Sequence, residues 1–339
     1  MEIPHWIKWG LGIAMLHALH IGCGPAAPPP LPDSWVLADS SAAAEWIQRD
    51  TMTPFFQQIG TLDMRLQMGQ AAPPDTTQRD SVLELYRQFL AQQVRSFQPT
   101  EKQLLRDVLS EAREMVSRLN PELLPPHLRL VKISGEAYGP AVYYTRENGI
   151  MIPQDELQTD KRALLRQVLL HELFHIYSRY HPQRRPALYQ IIGFSAAPDG
   201  VLLPDRLQER QLLNPDGVRW QQKIRLRPAG EDSSQVFFPF LYAQERAESS
   251  PPSFMDAMAF GYFRADSTTA GWVLQDTPAP ISQLSDFHQK TGGNTDYIIH
   301  PDEILADNFV LLVYRSAGMP VDVDEDGKRI LDQLQQKLQ

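Results

Sequence analysis

The chain has 339 residues, 42% of them hydrophobic, enough to bury a sizeable core as one large domain or two small ones. Thirty-two basic residues against 41 acidic ones give a formal charge of −9, and no lysine- or arginine-rich patch is present, which argues against a nucleic-acid partner. No internal repeat is visible, and beyond an interrupted N-terminal stretch no apolar run reaches the roughly 18 residues of a membrane-spanning helix.

At the N-terminus, Lys8 precedes an apolar stretch from Trp9 to Ile21 that ends at Gly22-Cys23, the plan of an export signal rather than of structure. Cys23 is the single cysteine, so no intrachain disulfide can form. Leu19-His20-Ile21-Gly22-Cys23 resembles a bacterial lipoprotein signal, with His20 departing from the aliphatic residue usual three positions before the cysteine. That resemblance implies lipidation of Cys23 and a domain anchored to a bacterial membrane, facing the periplasm or the cell surface. The "GPAAPPPLP" that follows reads as an extended tether. Residues 1–23 are then signal, 24–34 tether and 35–339 one folded domain.

Residues 35–120 read as helical. The stretch 41–69 carries apolar residues at three- and four-residue spacing, with Pro54 and Gly60 as breaks. Helices over 77–97 and 100–119 follow the "AAPPD" loop, the second capped by Thr100 with Gln103 three positions on. The texture changes at His127: "HLRLVKIS", "AVYYTR" and "GIMIP" read as strands, the last two as a hairpin around Asn148-Gly149. A helix over about 158–180 ends at Pro182 and completes a segment, 121–182, of small sheet and long helix. Residues 183–296 form a β-rich insertion, with strands in "RWQQKIRLRP", "QVFFPFLYAQ" and "FMDAMAFGYFRAD". The remainder, 297–339, is a helix opening at Pro301 and a last helix near 328–338. The fold class is α+β.

The long helix carries His171-Glu172-Leu173-Phe174-His175. Residues four apart lie about 6 Å apart along a helix and roughly 40° apart around it, so both imidazoles can reach one ion. Glu172, about 100° round, sits beside such an ion and can take a proton from water that a metal makes acidic. Two histidines and a glutamate on the inner face of an apolar helix are costly unless a metal compensates.

This motif resembles that of the zincin superfamily of zinc metallopeptidases. The resemblance implies a catalytic zinc, His171 and His175 as ligands, Glu172 as general base, and a third ligand that separates the subgroups. In metzincins that ligand is a histidine six positions after the second, reached through a glycine. His181 has the spacing, but Ser178 stands in place of the glycine, and on a continuing helix His181 lies about 240° round from His175. In gluzincins it is a glutamate on a later helix. "HPDEILADNF" resembles that helix, with Glu303 as ligand and Asp307, four residues on, as the carboxylate that orients a histidine ring. Glu303 is the expected third ligand, with His181 the alternative, and 127 residues separate His175 from Glu303. "HELFHIYSRYHP", "LYQIIGF" and "IIHPDEILADNF" are also similar to segments of uncharacterised bacterial proteins of peptidase type.

A peptide or protein substrate is the implied partner, pairing with the strand "AVYYT" (141–145) at an exposed sheet edge. Tyr297, His300, Tyr242 and His288 are candidate donors to a developing oxyanion. A non-catalytic envelope protein built on the same scaffold is the rival from another class. "DVDEDG" (322–327) resembles the first half of a calcium loop, but its twelfth position would be Gln333, so it reads as a solvated acidic turn.

Overall fold

The computed structural model of the protein describes residues 31–69, 78–197, 200–217, 220–244 and 253–339. Cys23, the export signal and residues 24–30 of the tether lie outside the described residues.

The chain enters as a strand, β1 (Trp35–Leu37), and then forms α1 (Ser40–Trp46), α2 (Phe55–Gln58) and α3 (Thr61–Gln67). Pro54 and Gly60 stand as the N-caps of α2 and α3, so the 41–69 stretch breaks at both. Helix α4 (Arg79–Gln93) is shorter than its sequence pattern. Val94 and Arg95 leave it to form β2 (Val94–Arg95), pairing with Ile133 and Lys132. Helix α5 (Pro99–Leu119) begins one residue earlier than expected. Gln98 caps it, Pro99 fills its first position, and Glu101 accepts the Gln98 amide at 2.7 Å, so Thr100 lies inside the first turn rather than at the cap.

The first sheet adds β3 (Leu128–Ile133), β4 (Tyr144–Arg146) and β5 (Gly149–Pro153), in the order β1-β3-β5-β4. β1, β3 and β5 run parallel, and β4 pairs antiparallel with β5 at the edge. β2 takes the same side of β3 as β1, further along. The segment 35–120 is therefore not wholly helical: it contributes two strands too short to show a period of two. α6 (Arg162–Tyr180) packs beneath this sheet. Its Leu165, Leu169, Leu173 and Ile176 join α5 and the sheet in one core, while Leu170, Phe174 and Tyr177 enter a second.

Residues 183–296 build the second sheet. After α7 (Arg185–Ile191) come β6 (Phe194–Ala196), β7 (Val201–Leu202), α8 (Asp205–Gln208), β8 (Gln222–Leu226), β9 (Gln235–Ala243), α9 (Phe254–Ala257), β10 (Met258–Thr268), β11 (Gly271–Ala279) and α10 (Phe287–Thr291). The strand order is β6-β8-β9-β10-β11-β7, antiparallel except between β11 and β7. Alternation divides its faces: Ile224, Phe237 and Tyr262 join the core of α6, whereas Val236, Phe238, Phe240 and Phe263 form a separate cluster.

α11 (Pro301–Ser316) lies against α6, and every residue from Pro301 to Tyr314 is buried. α12 (Glu325–Leu338) covers it, opening three residues before the expected 328. Asp324 caps α12, its carboxylate accepting the Gly327 amide at 2.8 Å, so "DVDEDG" is a helix start and not a calcium loop.

Candidate metal centre

Helices α6 and α11 bring His171, His175 and Glu303 together although the first and the last are 132 positions apart in the chain. Glu303 Oε2 lies 3.1 Å from His171 Nε2 and 3.1 Å from His175 Nε2, and the two imidazole nitrogens are 3.0 Å apart. Each ring is turned by a carboxylate on its other nitrogen: His171 Nδ1 faces Asp307 Oδ1 at 2.8 Å and His175 Nδ1 faces Asp302 Oδ2 at 3.0 Å. A carboxylate only accepts, so both Nδ1 atoms carry protons and both Nε2 atoms turn to Glu303. Two N–H groups cannot meet head-on at 3.0 Å, so this triangle has room for one proton at most. One metal ion would satisfy all three lone pairs. The triangle is wide enough for an ion about 2.0–2.2 Å from each atom, the usual distances from zinc to imidazole nitrogen and carboxylate oxygen.

The field at the triangle favours positive charge. Burial opposes a positive charge on His171, but Asp307 and Glu303 outweigh it and lift its pKa to about 10. His175 is raised in the same way against burial, chiefly by Glu303 and Asp216. Glu303 is held well below the usual carboxylate range because the two histidines overcome its desolvation. The pocket is a negative field seeking a cation.

Asp302 completes the frame. It accepts from Ser178 Oγ at 2.6 Å and Tyr189 Oη at 2.8 Å, and contact with His175 outweighs burial to lower its pKa to about 2. Asp307 also accepts a hydrogen bond from the Thr295 hydroxyl. Glu172 faces the same space, with its Oε2 buried and unpartnered among the described residues. Burial first and the neighbouring Asp216 second raise its pKa to about 8.

A cavity of about 160 Å³ opens over Glu172, lined by Val142, Tyr143, Val168, Leu213, Met255 and Tyr297 among others. The Tyr297 ring stacks on His171 with centroids 6.0 Å apart, and burial with the surrounding carboxylates keeps its phenol protonated. The other three donor candidates do not line this cavity. His300 is the N-cap of α11, Tyr242 belongs to the separate cluster of the second sheet, and His288 is exposed on α10. His181 ends α6, its Nδ1 2.9 Å from Tyr177 O and its ring stacked on Tyr177, and it takes no part in the cluster.

Sequence reasoning missed three residues here. Asp302 sits next to Glu303 and reaches the other histidine. Asn214, from the insertion, donates through Nδ2 to Glu303 Oε1 at 2.5 Å. Asp216 brings a carboxylate oxygen within 4.8 Å of ligand-type atoms of Glu172 and His175. No protein-family model, curated protein or solved structure matches the chain.

Proposed function

We propose that the chain is a zinc-dependent peptidase of gluzincin type, held at a bacterial membrane by a lipidated Cys23 with its domain in the periplasm or at the cell surface. The observation that carries this reading is the triangle of His171, His175 and Glu303, whose lone pairs converge with space for one cation and not for three protons. Zinc held there would supply Lewis-acid polarisation of a peptide carbonyl and of water.

The remaining chemistry belongs to the chain. Glu172 takes the proton of the attacking water and delivers it to the leaving amine. Asp307 and Asp302 fix the tautomers of His171 and His175. Tyr297 donates to the oxygen on which negative charge develops. The substrate adds to the side of β4 away from β5. That edge is Tyr144–Arg146 rather than the exposed 141–145 expected, for its residues are buried and Asp216 takes the Thr145 amide. The position of α6 beneath a sheet with one antiparallel edge strand supports a zincin-like architecture. His181 stays with Tyr177 and favours no metzincin ligand set.

The test measures zinc content and peptide hydrolysis of the full-length chain in parallel with three variants. We expect about one zinc per chain in the wild type and in His181→Ala, and none in Glu303→Ala. Glu172→Gln should keep the metal and lose hydrolysis by roughly 10²–10⁴-fold, the usual worth of a general base. A wild type without zinc would defeat the reading, and a Glu172→Gln variant with unaltered function would favour a binding protein instead.

A further inference from the structure

One wall of the cleft over Glu172 is the chain's own turn, Asn214-Pro215-Asp216. Asp216 Oδ1 accepts the Thr145 backbone amide at 2.7 Å and also bonds the Thr145 hydroxyl. Thr145 is the middle residue of β4, so this is the edge amide that an incoming strand would need. The same carboxylate stands beside Glu172 and His175. Asn214 meanwhile occupies the outer oxygen of Glu303, and its own Oδ1 accepts the Asp216 amide at 3.1 Å, closing the turn on itself.

The space left is small. A cavity of about 160 Å³ remains beside the turn. Pockets that bind ligands run from about 300 to 1,000 Å³. The turn is received rather than merely adjacent. Arg179 from α6 lies 3.8 Å from Asp216 and donates to Thr145 Oγ1 at 2.7 Å, and the Leu213 amide bonds Asp63 at 2.9 Å. Gly217 follows immediately, where a Cβ would come within 2.4 Å of the His300 ring. Only a residue without a side chain lets the turn sit so deep.

Asp216 thus holds the outward amide of β4 while its carboxylate lies within 4.8 Å of that of Glu172, and two like charges so placed repel each other. We propose that Asn214-Pro215-Asp216 is an intramolecular occupant of the substrate cleft, and that an extended peptide enters by displacing it and taking the Thr145 amide from Asp216. This rests on the peptidase reading above.

The test uses the full-length chain as wild type, Asp216→Ala and Pro215→Gly, the second loosening the turn without touching a polar contact. The probe is a peptidyl hydroxamate, which needs both the metal and the strand edge, with acetohydroxamate as a probe of the metal alone. Binding is followed by calorimetry, and zinc content is measured on the same samples. We expect the peptidyl probe to bind at least tenfold tighter to Asp216→Ala and several-fold tighter to Pro215→Gly, with zinc unchanged and a smaller gain for acetohydroxamate. Unchanged or weaker binding of the peptidyl probe to zinc-loaded variants would overturn the proposal while leaving the metal site intact. If no variant holds zinc, the peptidase reading fails and this one fails with it.

Discussion

Asp63 is buried completely on α3, and desolvation pushes its pKa to about 7 although the Gln67 amide, the Leu213 N–H and Arg146 all pull it down. A carboxyl that keeps its proton in the fold and loses it when unfolded makes stability depend on pH. Below the ordinary value of 3.8 both states are protonated. Between there and about 7 only the folded chain holds the proton, so stability falls as pH rises and levels off above. Three pKa units bound the effect at about 4 kcal/mol. Urea unfolding at pH 5 and pH 8 should show the wild type weaker at pH 8, and Asp63→Asn should lose much of that difference. Asp63 also shows what a sequence hides. His171, Glu172, His175, Glu303 and Asp307 were legible because helical spacing brings each set to one face. Asp302 was not, since nothing local distinguishes it from an acidic residue that favours a helix start. Asn214 and Asp216 read as an ordinary turn, and only tertiary folding carries them to Glu303 and Thr145.

Elements were legible in proportion to their length. α5, α6 and α11 declare themselves by apolar spacing, whereas β1 has three residues and β2 two, and β11 contains Pro278, which counts against a strand. The start of α5 fell on Gln98 because Glu101 serves two partners. It closes the capping box, and it pairs with Lys132 Nζ on β3 at 2.7 and 2.8 Å. Lys132 is only 7% exposed, so the pair fastens α5 to the first sheet through a largely desolvated ammonium. Glu101→Ala would leave that charge unpaired and remove the cap together, a loss of about 3–5 kcal/mol by the usual cost of breaking a buried pair. Replacing both partners, Glu101→Gln with Lys132→Met, should recover much of it. Chemical denaturation of the two variants checks this, and equal losses in both would overturn it, since the side chain of Glu101→Gln can still close the cap.

Across the whole molecule, the first sheet and α6 stand on one side of the His171, His175 and Glu303 cluster, and α11 is covered by α12 and by the core shared with the second sheet. α11 carries Asp302, Glu303, Asp307 and Asn308 into the interior, polar groups that need partners to be tolerated there. Three of the four answer to the cluster: Glu303 is one of its corners, and Asp302 and Asp307 hold its histidines. An ion bound there would join parts of the chain more than 120 residues apart, and the unfolded chain could not reproduce that site. Zinc should therefore stabilise the fold by mass action, by about 4 kcal/mol at a thousandfold excess over its dissociation constant. Thermal unfolding should move up when zinc is added to chelator-treated protein and return when chelator is restored. The control that gives this meaning is Glu303→Ala, which should unfold at the same temperature with or without zinc. A variant that still responds would place the stabilising ion at other histidines, such as the exposed His288, and would separate metal affinity from the α6–α11 junction.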